Sequence, residues 1–459
     1  MNNNNLKRRF FMPDQREQWK SKLGFVLAAA GSAVGLGNVW RFPFVTGEEG
    51  GAAFLIIYII AIIIIGYPLM VTEISLGRHT QRNPVGAFKS IAPNTPWWLV
   101  GALSVLTGFV ILSYYSVIAG WSLSYIVKSL AGFPIGIEAT EQLFGEHTTS
   151  LFEPIFYHFL FMAIVVGVIS AGVVKGIQRV VTFLMPVLVV LLLAVVIRAV
   201  TLPGAGEGLA FLFRPDFSAV SWDTILAAIG QSFFTLSLGM GAILTYGSYL
   251  SKNDEIPNSS VQVIGADALI AIISGMAIFP AVFALGFDPG EGPGLVFVTL
   301  PAVFAEMPVG GLFGFLFFVL LSIAALTSAI SLLEVVVAYF VDEKQWPRKK
   351  ASATIGLVAF IVGLFPVLGY SALDHVTFMG MDILDTYDFI ADSIMLPLGG
   401  AMIAFFAGHV WGTRNVMEEA NKSATGIRIG DWAAPLLKYI IPIGVIIVMI
   451  VGIIETIGG

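Results

Sequence analysis

The chain has 459 residues, of which 57% are hydrophobic and 12% charged, and its formal net charge at pH 7 is −6. A soluble protein carries about 25% charged residues, so this composition excludes an ordinary cytosolic enzyme and a nucleic-acid-binding protein. The sequence contains no cysteine, which excludes disulfides, iron–sulfur centres and zinc sites built from thiolates.

Eleven apolar runs predict an all-α integral membrane protein. A membrane-spanning helix requires about 20 apolar residues, and charged or Pro/Gly-rich breaks separate the runs. The predicted spans, numbered 1 to 11 in chain order, are 22–45, 51–76, 98–127, 154–174, 178–200, 219–250, 260–287, 309–341, 351–370, 376–411 and 434–457. The first run is too long and too interrupted for a signal peptide, so we expect it to be a mature span.

The distribution of basic residues predicts the orientation of the spans, because cytoplasmic loops carry an excess of lysine and arginine. If the N-terminal segment 1–21 lies in the cytoplasm and eleven spans alternate, 20 of the 24 basic residues fall on the cytoplasmic side. Those that remain outside are Arg41, Lys128, Arg198 and Arg214. We therefore predict a cytoplasmic N-terminus and an external C-terminus.

Spans 1 and 6 each contain a cluster of glycines near the middle. In span 1 the cluster runs from Gly31 to Asn38, and in span 6 it runs from Thr235 to Gly241. Single glycines in membrane helices usually serve close packing, but paired, interrupted spans in corresponding positions indicate the binding site of a secondary transporter. A broken helix frees N–H groups that attract an anion and C=O groups that suit a small cation.

The two interrupted spans begin two five-span halves, residues 22–200 and 219–411, and residues 434–457 form an additional eleventh span. The sequence similarity between the halves is too weak to establish a repeat by itself. No phosphate-binding GxxxxGK[ST] motif occurs. Transport must therefore be driven by a gradient or by a separate subunit.

Several motifs resemble the neurotransmitter:sodium symporters, from Arg16 to the end of the chain. They are Arg16-x-x-Trp19, the stretch Gly31–Phe42 (GSAVGLGNVWRF), Gly50-Gly-Ala-Ala-Phe54, Gly230–Gly239 (GQSFFTLSLG) and Thr327-Ser328. The resemblance is to bacterial members with eleven spans and implies a protein of the bacterial inner membrane. It also implies the leucine-transporter-type 5+5 inverted repeat, in which helices 1 and 6 are unwound in mid-membrane.

The resemblance further implies two sodium sites. One would use the carbonyls of Gly31, Val34 and Ala324 with the hydroxyls of Thr327 and Ser328. The other would use Ala33, Asn38, Thr235, Asp267 and the carboxylate of the substrate. That carboxylate would accept hydrogen bonds from the Leu36 and Gly37 amides and the Tyr115 hydroxyl. The substrate-binding residues that the resemblance implies are Ala33, Leu36, Gly37, Tyr115, Phe234, Thr235, Ser237, Met240 and Leu332.

Two departures from the family pattern predict the substrate and its ions. The family's amine transporters place an aspartate where this chain has Gly35, so we expect a substrate that brings its own carboxylate. Chloride-dependent members have Asn and Ser where this chain has Asp267 and Ala271, and a fixed carboxylate can replace chloride beside sodium. Whether Asp267 ligates sodium directly or gains a proton on the return step stays open.

Charged residues near the membrane are candidates for gates. The resemblance implies an outer gate of Arg41 with Asp388, and an inner gate of Arg16 with Asp342, with Trp19 as a plug and Ser248 and Tyr249 as supports. Asp382, Asp385, Asp388 and Asp392 share one face of span 10, and a solvated face is an equally good interpretation for most of them. Glu73 and Glu334 lie within apolar runs. Each is interpreted either as a packing partner or as a participant in ion binding.

Span 5 contains Gly176 and Pro186. Proline removes a helical hydrogen bond, which is consistent with a simple kink. The resemblance implies instead a cytoplasmic half that unwinds and lets water reach a sodium site.

The resulting hypothesis is a sodium-coupled symporter and not an enzyme. It would import hydrophobic and aromatic L-amino acids, including Trp and Leu, by alternating access and without chloride, in the lipid bilayer and as a monomer. The alternatives are a proton-coupled amino-acid permease of the same fold, a channel and a membrane enzyme. The five histidines show no i, i+4 pairing, so apart from sodium we expect no metal site.

Overall fold

The computed structural model describes residues 16–287 and 294–458. In these ranges every regular element is helical, and the β-type pairing consists of one isolated bridge between Phe378 and Met381. The predicted all-α class is confirmed. Residues 1–15 of the predicted N-terminal segment 1–21 lie outside the described residues.

Nine helices among the described residues are long and apolar enough to cross a membrane. They correspond to spans 2 to 5 and 7 to 11, with the bounds Ala52–Thr80, Trp98–Ala131, Phe152–Ser170, Val173–Val200, Pro257–Ala284, Gly310–Lys344, Arg348–Leu368, Ile383–Asn421 and Ala433–Ile454. Span 10 begins later than predicted because turns and the isolated bridge occupy much of the stretch 369–382.

Spans 1 and 6 are interrupted, as predicted. Span 1 consists of Lys22–Ala33 and Gly37–Glu48, which meet at a bend of 51°. Span 6 consists of Trp222–Thr235 and Ala242–Gly247. If the bent pair is one span, up to ten helices in the described part of the chain are long and apolar enough to cross a membrane. The total of eleven requires span 6 to be one interrupted crossing and stays a prediction.

Within the described ranges, four further helices of at least eight residues connect the spans. They are Pro84–Ile91, Ile137–Thr149, Ala205–Phe213 and Leu295–Glu306. The second of these occupies most of the loop between spans 3 and 4, and Glu138 in its first turn interacts favourably with the positive end of the helix dipole.

Spans 3 and 8 pack against each other more extensively than any other pair of elements in the described parts of the chain. They have 34 and 35 residues and are therefore about 50 Å long, which exceeds a hydrocarbon layer of about 30 Å. Together with the broken spans 1 and 6 they surround the buried centre of the protein.

The outer surface of the bundle is apolar. On span 11, Ile443, Ile447, Ile450 and Ile454 are exposed at helical spacing. A stripe of exposed isoleucines on one helix face is suited to contact with lipid chains rather than water.

Span 5 is helical along its whole length. A π-helical turn, Val173–Gln178, contains Gly176, and the α-helix Arg179–Val200 contains Pro186. The unwinding of this region is therefore not a feature of this conformation. It stays a prediction about another step of the transport cycle.

Candidate substrate and sodium site

The break in span 1 lies at Val34 and Gly35. Val34 has an extended ψ of 93°, and a short π-helix begins at Gly37. The Leu36 amide donates a hydrogen bond to the Tyr115 hydroxyl at 3.1 Å, and the Gly35 amide donates to Asn38 Oδ1 at 3.2 Å. Side chains thus satisfy backbone groups that lipid could not satisfy.

The break in span 6 has a strained backbone. Ser237 has a φ of 53°, and Gly239 and Gly241 have φ values of 81° and 77°. A left-handed conformation costs a residue other than glycine about 1–3 kcal/mol and is characteristic of functional sites. The Gly239 amide donates a hydrogen bond to Glu73 Oε1 at 2.8 Å, so a buried carboxylate of span 2 holds this segment in place.

A small cavity lies where the two breaks meet. Seven of the predicted substrate-binding residues line it: Ala33, Gly37, Tyr115, Phe234, Ser237, Met240 and Leu332. Leu36 and Thr235 do not line this cavity. The Leu36 amide donates a hydrogen bond to the Tyr115 hydroxyl, and Thr235 Oγ1 lies 3.1 Å from the Tyr58 hydroxyl. We refer to this space as the lower cavity.

A second and larger cavity, the upper cavity, includes Trp40, Arg41 and Asp388 in its lining. Tyr115 and Phe234 line both cavities. The Arg41 guanidinium lies 4.9 Å from the centroid of the Phe234 ring. An aromatic layer therefore separates the two spaces.

The residues of one predicted sodium site come together between spans 1 and 8. Thr327 Oγ1 lies 3.4 Å from the Val34 carbonyl oxygen and 3.0 Å from that of Ala324, and Ser328 Oγ lies 3.4 Å from the Gly31 carbonyl oxygen. Oxygen ligands of hard cations such as Ca²⁺ lie at 2.3–2.6 Å, so two ligands at right angles are about 3.3–3.7 Å apart. The two 3.4 Å separations fall within this range, whereas the 3.0 Å separation of Thr327 Oγ1 and the Ala324 carbonyl is that of an ordinary hydrogen bond within span 8. The sodium site stays a prediction.

The residues of the other predicted sodium site lie between spans 1, 6 and 7 and are buried. Asn38 Nδ2 donates to Asp267 Oδ1 at 2.8 Å. The hydroxyl of Tyr58 is 3.1 Å from Thr235 Oγ1 and 3.1 Å from Asp267 Oδ2. Asp267 thus reaches Asn38 and, through Tyr58, Thr235, while Ala33 lines the adjacent lower cavity.

At the outer side the structure differs from the implied gate pair. Arg41 forms its ion pair with Asp392, whereas Asp388 accepts a hydrogen bond from the Tyr114 hydroxyl at 2.9 Å. Arg41 and Asp388 are therefore not paired directly in this conformation, although both residues line the upper cavity. Their role as an outer gate stays a prediction. Asp382 caps the start of span 10 by accepting from the Asp385 amide.

At the inner side the structure brings the predicted gate residues together. Arg16 forms an ion pair with Asp342 and donates to Ser248 Oγ at 2.8 Å, and its guanidinium lies 4.6 Å from the Tyr249 ring centroid. Burial opposes the charge on Arg16, but Tyr249 and Asp342 outweigh it and raise the pKa of the guanidinium. Trp19 is buried and donates to the Tyr246 carbonyl at 3.0 Å.

The inner cluster extends to residues that the sequence analysis did not place. Tyr249 donates to Glu334 Oε1 at 2.5 Å, and Arg348 donates to both carboxylate oxygens of Glu334 at 2.7 Å. Glu334 is therefore half of a bidentate ion pair, and its partner begins span 9.

The sequence analysis also missed residues of the lower cavity: Ser32, Ile111 and Ser331. Ile111 precedes Tyr115 by four residues, which places both on one face of span 3. Ser331 follows Ser328 by three residues on span 8. This helical spacing was a signal in the sequence that could have identified both residues.

The chain is similar to known proteins over most of its length. The model of the SNF, or Sodium:neurotransmitter symporter, family matches residues 16–139 and 149–457. The chain is 42% identical over 436 residues to an uncharacterized sodium-dependent transporter, YhdH, of Bacillus subtilis, covering 94% of this chain and 97% of the relative. It is 27% identical to the sodium- and chloride-dependent taurine transporter of Bos taurus, covering 93% of this chain and 76% of that protein.

A solved structure is similar over nearly the whole chain. It is the crystal structure of MhsT in complex with L-phenylalanine, with a TM-score of 0.87 and 48% sequence identity. The match covers 95% of this chain and 99% of the other. The fold is therefore the one expected from the sequence.

Proposed function

Because this chain belongs to the sodium:neurotransmitter symporter family and is a multi-pass membrane transporter rather than an enzyme, we propose that it imports hydrophobic and aromatic L-amino acids, including Trp and Leu, together with sodium. The single observation that carries the proposal is the meeting of two broken spans at one cavity. Its lining combines hydroxyl groups, among them those of Tyr115 and Ser328, with apolar side chains such as Phe234 and Met240.

The proposal includes two sodium ions. Thr327 and Ser328 would bind one with the carbonyls of span 1, and Asn38 and Asp267 would contribute to the other. In the second site the substrate carboxylate completes the coordination, so substrate and ion each raise the affinity of the other. A membrane potential contributes about 2.3 kcal/mol per charge per 100 mV, which makes a cation an effective co-substrate.

An amino acid fits the lower cavity better than a monoamine. A Cβ atom at Gly35 would collide with Ser328 Oγ and lie 2.8 Å from the Tyr115 hydroxyl. This backbone therefore has no space for the aspartate that binds the ammonium of monoamines. The amides of span 1 after the break suit a carboxylate, and the binding of L-phenylalanine by MhsT supports an amino acid of that class.

Chloride independence is proposed from Asp267. Its carboxylate lies beside Asn38, Tyr58 and Thr235, and its negative charge would balance that of sodium. The proton-coupled permease is the less favoured alternative, because the relatives are sodium-dependent transporters.

We place the protein in the bacterial inner membrane, with the N-terminus in the cytoplasm and the C-terminus outside. Residues 22–200 and 219–411 form the two proposed repeats, and one protomer surrounded by lipid is the proposed functional unit. Spans 1, 2, 6 and 7 would rock against the others, with the Arg16–Asp342 cluster closing the inner side and Arg41 the outer side.

Uptake of labelled phenylalanine into proteoliposomes tests the proposal. We expect accumulation under an imposed sodium gradient, with chloride or with gluconate, and competition by Trp and Leu. A proton gradient without sodium should give none. Accumulation that requires chloride would contradict the assignment of Asp267, and accumulation without sodium would contradict the symport.

The double substitution Thr327→Ala with Ser328→Ala tests the first sodium site and should abolish sodium-stimulated accumulation. The matched control is Ser322→Ala, on the same span, because Ser322 bonds to Ser122 at 2.8 Å and belongs to neither proposed site. If both variants accumulated phenylalanine like the parent, sodium would bind elsewhere.

A further inference from the structure

The lower cavity has a polar floor formed by Ser32 and Ser331. Both residues line the cavity, and their hydroxyl oxygens are 2.7 Å apart. Ser32 lies before the break in span 1, on the side that leads to Arg16. Ser331 lies on span 8 between Thr327 and Asp342, which is the partner of Arg16. Both therefore lie on the inner side of the proposed carboxylate-binding amides of Leu36 and Gly37.

The hydroxyl protons of this floor are already engaged within the protein. Ser32 donates its proton to Ser331, and Ser331 donates its own to the Ser328 carbonyl at 2.8 Å. A hydroxyl has one proton and two acceptor lone pairs. In the described part of the chain no hydrogen bond donated to Ser32 Oγ is found, so this oxygen offers acceptor capacity to the cavity.

The backbone beneath the floor is fixed in position. The Ser32 carbonyl accepts hydrogen bonds from Ser237 Oγ at 2.8 Å and from Ser328 Oγ at 3.0 Å. The left-handed conformation of Ser237 thus serves to anchor the residue before the break. Ile111, Met240 and Leu332 supply apolar walls around the floor.

From this arrangement we infer that Ser32 and Ser331 recognise a hydrogen-bond donor at the far end of the substrate side chain, such as the indole N–H of tryptophan or the phenol O–H of tyrosine. The inference rests on the proposed function, since the carboxylate must lie at the Leu36 and Gly37 amides for the side chain to reach the floor. A side chain with a donor group gains a hydrogen bond to the Ser32 oxygen. An isosteric side chain that lacks the donor leaves this oxygen unpaired. A neutral hydrogen bond corresponds to about 3- to 10-fold in affinity.

Sodium-dependent binding of labelled phenylalanine, displaced by matched competitors, tests the inference. The first pair is tryptophan and benzothienylalanine, in which sulfur replaces the indole N–H. The second pair is tyrosine and 4-fluorophenylalanine. We expect the parent protein to favour the donor of each pair by about 3- to 10-fold. A ratio near one for both pairs in the parent would overturn the inference without any variant.

Ser32→Ala should reduce both ratios to near one, and each ratio compares two competitors within the same variant. Ser331→Ala is the second variant, because it removes the acceptor that orients the Ser32 proton, and it should also lower the ratios. Ser322→Ala, on span 8 outside the cavity, should leave them unchanged. Ratios that persist in Ser32→Ala, in which sodium-dependent phenylalanine binding is still measured, would overturn the inference alone. Absence of sodium-dependent phenylalanine binding in the parent would remove the proposed function, and the inference with it.

Discussion

Arg41 of span 1 forms its ion pair with Asp392 of span 10, and Asp388, one turn earlier on span 10, accepts a hydrogen bond from Tyr114 instead. The side chain of Asp392 is only 7% exposed and that of Arg41 28%. Removing one partner of a buried ion pair leaves an uncompensated charge. The two aspartates should therefore differ in their effect on the outer gate.

We expect Asp392→Asn to lower sodium-driven uptake of phenylalanine by about tenfold or more, since the loss of a partly buried pair costs about 1–3 kcal/mol. Asp388→Asn retains an acceptor for the Tyr114 hydroxyl and should lower the uptake rate by less than about threefold. Initial uptake rates at saturating substrate measure both. A larger loss in Asp388→Asn than in Asp392→Asn would contradict the pairing.

The sequence predicted those features that depend on local patterns. The breaks in spans 1 and 6 follow from glycines at Gly31–Gly37 and Gly239–Gly241, where the backbone needs conformations that glycine adopts readily. The late start of span 10 also had a local signal, because Asp382 is an N-cap residue. The apolar residues before it nevertheless extended the predicted helix.

Partners that are distant in sequence were harder to predict. Asp385, Asp388 and Asp392 share one helix face, so spacing alone does not select the partner of Arg41. The hydroxyl contact of Ser32 with Ser331 joins residues 299 positions apart. Such a contact depends on how the spans pack, which single-sequence periodicity does not determine.

Glu73 provides a second test, because its Oε1 accepts the Gly239 amide at 2.8 Å in a fully buried position. Glu73→Gln retains an acceptor oxygen and should bind phenylalanine within about threefold of the parent. Glu73→Ala leaves the amide without a partner at a cost of about 1–3 kcal/mol. We expect at least a fivefold weaker affinity, measured by equilibrium binding in sodium. Equal losses in both variants would show that the charge matters rather than the hydrogen bond.

The Glu334–Arg348 pair predicts non-additive stability. Glu334 is fully buried and accepts two hydrogen bonds from Arg348 at 2.7 Å. Glu334→Gln leaves the Arg348 charge without its partner, and breaking such a pair costs about 3–5 kcal/mol. In the double variant with Arg348→Gln neither charge remains. The double variant should therefore recover part of the loss in a double-mutant cycle of thermal midpoints. Additive losses would contradict coupling between the two residues.

His147 predicts sensitivity to acid at the loop between spans 3 and 4. Its side chain is fully buried in the helix Ile137–Thr149, with Nδ1 3.2 Å from Glu153 Oε1. Lys128 donates to the same Glu153 oxygen at 2.7 Å. The pKa of His147 is lowered to about 4, because burial, which is the largest cause, and the charge of Lys128 lower it by more than Glu153 raises it. The ring is therefore neutral at pH 7.

In the unfolded chain the pKa of histidine is about 6.5. Between pH 6.5 and 4 the unfolded state therefore binds a proton that the folded state does not, so stability decreases as the pH falls through this range. The shift corresponds to as much as about 3 kcal/mol. His147→Gln removes the titration, and its thermal midpoint should fall less than that of the parent between pH 7 and 4.5. His375→Gln is the matched control, because His375 is 73% exposed, and it should follow the parent. Parallel curves for His147→Gln and the parent would show that the loop does not titrate through this histidine.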